Sequence, residues 1–311
     1  MLPSRRSVLA GAALLPLAPG AGFSETRTAE TRAAEGAALI RRPIPSSGEA
    51  LPAIGIGTSR RYEVEPTPEK IAPLKEAVER FVALGGRVID TAPSYGTAED
   101  VLGEILQGGL RERVFLASKV SEPGREAGAA QIARSFERLR TDRIDLVAVH
   151  NLIDTGTNLA TLRDLKGQGR IRYVGVTVWR DGQFGELEPV MRREPLDFIQ
   201  VNYAIDNRAA AERVLPLAAE RGMAVMVNVP FGRDRLFKAV QGRELPPWAA
   251  EFDCASWPQF FLKYVLANPA VTCPIPGMAK ASYVEDNLGA ARGRLPDEAA
   301  RARMEALIDA L

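Results

Sequence analysis

At 311 residues the chain can hold two small domains or one α/β barrel, a fold that takes about 250 residues as a single unit. With 46% apolar and 25% charged residues it is not a disordered chain, and 40 basic against 39 acidic residues leave a formal charge of +1, which removes any bulk electrostatic case for a nucleic-acid partner. Two cysteines, Cys254 and Cys273, form neither a disulfide framework nor a metal cluster, and a lone histidine, His150, excludes a histidine-rich site, so no metal is expected.

The chain opens on Ser4-Arg5-Arg6-Ser7-Val8-Leu9 and an apolar run that ends near Gly22. A short basic region before an apolar core is the pattern of a secretory signal, and the paired arginines resemble the twin-arginine type. The run is too short, and too rich in Pro and Gly, for a permanent membrane span. Residues 1–37 are therefore expected to be a signal peptide and a polar, alanine-rich tether. Export machinery is then a partner and the periplasm the address, with the cytoplasm as the alternative.

From residue 38 to 311 one beat repeats. A hairpin is expected over Leu39–Ala53, turning at Ser46-Ser47-Gly48-Glu49. Short apolar, β-branched runs follow at Ala53–Thr58, Arg87–Thr91, Val114–Lys119, Asp145–His150, Tyr173–Val178, Phe198–Asn202, Ala224–Val229 and Val271–Ile275. Stretches of helical period separate them, such as Pro68–Leu84, Ala98–Gln107, Gly128–Leu139 and Arg208–Arg221. Phe231 to Trp257 reads as an elaborated loop, and the chain stops soon after its last helix, so no long tail is expected over the pocket. Eight strands alternating with helices imply a parallel sheet closed into a (β/α)8 TIM barrel with an N-terminal β-hairpin. The competitor, an open doubly wound sheet, lacks its phosphate-binding turn: Gly55-Ile56-Gly57-Thr58-Ser59-Arg60 stops after the second glycine.

The ionisable residues fall at strand ends, the catalytic face of such a barrel. Asp90 closes the second strand, Tyr95 follows in the next loop, Lys119 closes the third and His150 the fourth. Singly, each is ordinary: a charge at a strand end is usually a solvated rim group, and a lone histidine usually belongs to the core. Together they make a proton donor. A phenol with a pKa of roughly 10 donates poorly near neutrality. An ammonium beside it favours the phenolate, an aspartate holds that ammonium in place, and a neutral imidazole orients a carbonyl. No serine or cysteine nucleophile arrangement competes for the one histidine.

The sequence resembles the aldo-keto reductase family over nearly all of residues 38–311. The resemblance rests on Gly55-Ile56-Gly57-Thr58, Asp90-Thr91-Ala92-Pro93-Ser94-Tyr95-Gly96, Ser118-Lys119 and His150, then Gly175-Val176-Thr177, Gln200-Val201-Asn202-Tyr203, Pro230-Phe231-Gly232, Ile275-Pro276-Gly277 and Asp286-Asn287-Leu288-Gly289-Ala290. It implies hydride transfer between a nicotinamide and a small carbonyl or alcohol substrate. Tyr95 would be the general acid, Lys119 and Asp90 would tune it, and His150 would orient the carbonyl. Around the cofactor it implies Thr58, Asp90, Thr177 and Gln200 near the nicotinamide, and Pro230, Phe231, Gly232 and Arg235 along the pyrophosphate. Gly277, Lys280 and Asn287 would hold the adenosine end at a helix start.

Three positions depart from the family. Val178 stands where an asparagine is usual, Asn228 where an aromatic ring stacks on the nicotinamide, and Tyr283 where an arginine meets the 2′-phosphate, leaving Lys280 as the nearest substitute. NADP is the expected cofactor and NAD stays open. Trp179, Asn151, Leu152 and Phe231 are expected on the pocket wall. Arg60, Arg61, Arg180 and Arg233 would make its mouth basic, although surface arginines are usually just solvated. Two alternatives to the reductase are a cofactor-loaded binding or regulatory protein and a closed-cycle isomerase or epimerase that retains its nicotinamide.

Overall fold

The computed structural model describes residues 38–311; the signal peptide and tether expected over 1–37 lie outside the described residues. The chain opens with an antiparallel hairpin, β1 (Arg41–Pro43) and β2 (Ala50–Pro52), turning through Gly48 at a φ of 76°. Eight parallel strands follow in the order β3 (Ile56–Gly57), β4 (Val88–Asp90), β5 (Phe115–Val120), β6 (Ile144–His150), β7 (Ile171–Thr177), β8 (Phe198–Asn202), β9 (Ala224–Asn228) and β10 (Cys273–Pro274), each beside its sequence neighbour. A bridge between Gly57 and Gly277 joins the first to the last, supported by Gly55 N–H to Pro274 O and Gly57 N–H to Pro276 O, both 3.0 Å. This seam requires a bare backbone: a Cβ on Gly57 would sit 2.6 Å from the carbonyl oxygen of Ile275. The expected barrel is thus closed, although its first and last strands are shorter than their apolar runs suggested.

Helices cover the outside. α1 (Pro68–Ala83) starts with Pro68 in its first turn and buries Ile71, Leu74, Ala77, Val78 and Phe81, the spacing of one helical face. Next come α2 (Ala98–Ile105), α3 (Arg125–Arg138), α4 (Thr155–Gly167) and α5 (Phe184–Arg193). The expected helix over Arg208–Arg221 is two pieces, α6 (Ala209–Glu212) and α7 (Val214–Glu220), because Arg213 leaves helical geometry at a φ of −137°. The elaborated loop after β9 holds a short helix, α8 (Arg235–Ala239). It leads into α9 (Trp257–Leu266), and α10 (Ala281–Gly289) and α11 (Glu298–Asp309) complete the order. Among the described residues no helix is long and apolar enough to cross a membrane.

Strand alternation sorts the side chains into two cores. Outward residues such as Ile89, Leu116, Val147, Val176, Ile199 and Val225 pack under the helices. Inward residues Val88, Phe115, Leu146, Tyr173, Phe198 and Met226 fill the lower barrel, and Ile44 and Leu51 of the hairpin plug its base. Further up the same inward faces, two or four residues on, stand Asp90, Lys119, His150, Thr177, Gln200 and Asn228. An apolar floor thereby carries a polar ceiling, and that ceiling is the candidate site.

Candidate active site

A cleft of about 1090 Å³ opens at the C-terminal ends of the strands. Small-molecule pockets run to roughly 300–1,000 Å³, so this one has room for more than a single small ligand. Thr58, Asp90, Tyr95, Lys119, His150, Thr177, Gln200, Asn228, Pro230, Phe231, Gly277, Lys280 and Asn287 all line it, residues that the chain scatters over 230 positions (287 minus 58, counting both ends).

Lys119 and Asp90 stand on adjacent strands, both buried. The ammonium donates to both Asp90 carboxylate oxygens, at 2.8 and 2.7 Å, and to the Thr91 carbonyl at 2.8 Å. Burial pulls Lys119 down, but the carboxylate outweighs it and the lysine sits above its ordinary value; burial also pushes Asp90 up, and Lys119 recovers only part of that. Thr58, just past β3, supports Asp90, its hydroxyl donating to the Asp90 carbonyl at 3.0 Å.

Tyr95 is carried by a tight loop. Its N–H donates to Ala92 O and its own carbonyl accepts from Ala98 N–H, while Thr97 Oγ1 ties the loop to Val64 O at 2.6 Å. The phenol ring lies 5.2 Å from Lys119 Nζ and meets the imidazole of His150 edge-on, with ring centroids 6.3 Å apart. Lys119 acts on the phenol as expected, pulling it toward the ionised form, but a second effect opposes it. Burial raises Tyr95 and Lys119 offsets only part of the rise, so the group is a firmly protonated donor in the ligand-free site.

Burial, assisted by the Lys119 charge, depresses His150 to about 4, so its imidazole is neutral near pH 7. This has a stability consequence with a definite sign. Between the unfolded value of 6.5 and about 4 the native state binds fewer protons than the unfolded chain, so stability is lost as pH falls through that window. The full loss is about 3 kcal/mol, from 1.36 kcal/mol per pKa unit. Denaturant midpoints between pH 7 and 4 should fall more steeply for the wild type than for His150→Gln. Parallel curves would remove His150 as the source. The chain has no other histidine to confuse the comparison.

The remaining positions divide. Thr177 is buried at the end of β7 and Gln200 in the middle of β8, and Asn228 donates its Nδ2–H to the Val178 carbonyl at 3.0 Å, so the two departures at 178 and 228 touch each other. Lys280 precedes α10, whose first turn has no side-chain cap, and its Nζ lies 5.5 Å from the exposed ring of Tyr283. These uncapped amides next to Gly277, with buried polar side chains on the floor, fit an extended anionic dinucleotide. Arg235 and Gly232 are displaced from the expected pyrophosphate wall. Left-handed backbone at Gly232, Arg233 and Asp234 turns Arg233 into the cleft, while Arg235 pairs with Asp206 at 2.9 Å and Gly232 packs against that pair. The sequence signalled Asp286 only as part of a motif; it lines the cleft and accepts from Ser256 Oγ at 2.7 Å and Gln259 Nε2 at 2.9 Å. Among the described residues no group of three or more His, Cys, Asp or Glu is placed to hold a metal, and both cysteines are buried and free.

Comparison with known proteins agrees with this geometry. Residues 53–308 match the Aldo/keto reductase family. Methylglyoxal reductase YeaE of Escherichia coli (strain K12) is 31% identical over 258 residues, covering 80% of this chain and 89% of that protein. An aldo-keto reductase of Mycobacterium sp. (strain KMS) is 32% identical over 207 residues, 61% of this chain and 68% of its own length. Among solved structures, an aldo-keto reductase from Klebsiella pneumoniae in complex with NADPH superimposes with a TM-score of 0.74 at 25% identity, covering 87% of this chain and 96% of that one. With a closed barrel, a polar ceiling of this composition and a family match over most of its length, the chain belongs to the aldo/keto reductase family of nicotinamide-dependent oxidoreductases.

Proposed function

We propose that the protein is an NADP-dependent reductase of small aldehydes or ketones in which Tyr95 is the proton donor. The observation that carries this is the meeting of the Tyr95 phenol and the neutral His150 imidazole over one part of the cleft, with the Lys119–Asp90 pair directly beneath. NADPH, when bound, supplies the hydride. His150 hydrogen-bonds the carbonyl oxygen and fixes its direction. Tyr95 donates its proton to the oxygen as it becomes an alkoxide, and the Lys119 ammonium stabilises the phenolate left behind. Asp90 holds the ammonium charged and in place. Thr177 and Gln200 orient the nicotinamide amide, and Lys280 takes the 2′-phosphate. The Klebsiella pneumoniae structure with NADPH and the Escherichia coli methylglyoxal reductase support cofactor and substrate class respectively.

The test is consumption of NADPH by the purified protein with a panel of small aldehydes and ketones, methylglyoxal first. Tight NADPH binding without consumption would leave a binding protein. Interconversion of a substrate without added nucleotide would indicate the closed-cycle isomerase instead.

The twin-arginine reading of Ser4-Arg5-Arg6 extends the proposal to export of the folded barrel to the periplasm. Changing Arg5 and Arg6 together to lysine should strand active precursor in the cytoplasm. Unchanged export of that variant would refute the reading.

A further inference from the structure

Two arginines at the mouth of the cleft share one aromatic ring. Trp179 follows β7 and Arg233 lies in the loop after β9; both line the cleft, and the exposed Arg180 is Trp179's neighbour in the chain. The guanidinium groups of Arg180 and Arg233 each lie 4.4 Å from the Trp179 ring centroid. Two like charges on one indole repel, and ordinarily a carboxylate would intervene. Among the described residues neither guanidinium has one within 4.0 Å. The nearby acids are committed elsewhere. Asp181, next in sequence to Arg180, accepts from Asn207 at 2.9 and 3.1 Å; Asp234, next to Arg233, pairs with Arg61 at 3.8 Å; Asp206 pairs with Arg235.

The backbone supplies a second, independent observation. Arg233 and Asp234 have φ of 52° and 67°, left-handed geometry that side chains other than Gly, Asn and Asp rarely adopt, and Val229 in the same loop has 53°, unusual for a β-branched residue. A strained loop thus holds a cation over the cleft mouth with no counter-charge. Guanidinium is the side chain best matched to planar oxyanions, and the indole holds both groups while leaving their N–H edges free to donate.

We propose that Arg180 and Arg233 form an anion clamp for the substrate, which therefore carries a carboxylate or phosphate beside its reducible carbonyl. The assignment rests on the reductase reading above. It separates such substrates from neutral carbonyls of the same shape, and Trp179 fixes how far the acid group lies from Tyr95.

The probes are 4-carboxybenzaldehyde and its methyl ester, which differ only in the charge and the methyl cap. The wild type should prefer the acid in kcat/KM, mainly through KM. Arg180→Gln and Arg233→Gln should each reduce that preference about tenfold, and the double variant should abolish it. The dissociation constant of NADPH, read from fluorescence titration, should hold within about twofold. Equal KM for acid and ester in the wild type would overturn the proposal, as would a loss that falls on NADPH affinity, which would assign the arginines to the phosphates of the cofactor. A calorimetric titration of benzoate into the NADP complex reads the clamp without turnover. Benzoate binding that the variants weaken supports it even where neither aldehyde is reduced, and unchanged or absent binding sinks it, so failure of the clamp and failure of the reductase reading remain distinct.

Discussion

Replacing Tyr95 by phenylalanine should lower the rate of hydride transfer by about a hundredfold or more while leaving NADPH affinity within about twofold. The change removes one hydroxyl and keeps the ring that packs edge-on against His150 and over Lys119. Fold and cofactor site are therefore untouched. What disappears is the proposed proton donor: among the described residues beside it, Lys119 spends its N–H bonds on Asp90 and Thr91 and His150 is neutral. Single-turnover kinetics isolates this step from product release, and equal rates for the variant and the wild type would end the general-acid assignment.

The second large effect is on stability. Lys119→Met leaves the Asp90 carboxylate buried with no counter-charge, a class of change that costs about 3–5 kcal/mol. For a chain of this size that corresponds to a fall in melting temperature of roughly 5–8 °C. The double variant Lys119→Met with Asp90→Leu should recover most of the loss, because the charge is removed together with its partner, yet should remain inactive. Calorimetry on the three proteins separates the two roles. If the single variant melts at the wild-type temperature, the pair is not the buried ion pair described above.

Most of the barrel was legible because parallel strands buried on both faces read as near-continuous apolar runs, and Leu146-Val147-Ala148-Val149 of β6 is one. The polar ceiling was legible for the same reason: once strands are placed, the ionisable residue that ends each one is placed too. Local backbone geometry was less plain. The break at Arg213 precedes Pro216, which cannot donate a helical bond back to Glu212, and the left-handed turn at Arg233 and Asp234 follows Gly232; both signals were present, yet the helix after β8 read as continuous and Arg235 was placed on the pyrophosphate wall, where Arg233 lines the cleft instead. Net pKa direction was hidden. Lys119 is visible beside Tyr95 in the pattern, but the burial that outweighs it depends on how completely the loop closes over the phenol. The convergence of Trp179, Arg180 and Arg233 joins loops after two non-adjacent strands, and no spacing in the chain encodes it.

The closing bridge from Gly57 to Gly277 also bears on the order in which the molecule is made. It pairs residues 220 positions apart (277 minus 57), whereas every other sheet contact joins neighbouring strands. Loop-closure entropy makes such a distant pairing a late event in folding. The residues that form it, with Thr58 and Pro276, are themselves lips of the cleft. A growing chain on the ribosome therefore has neither a finished barrel nor a nucleotide site until its last strand emerges. A ligand lying across that join would tie the beginning of the barrel to its end.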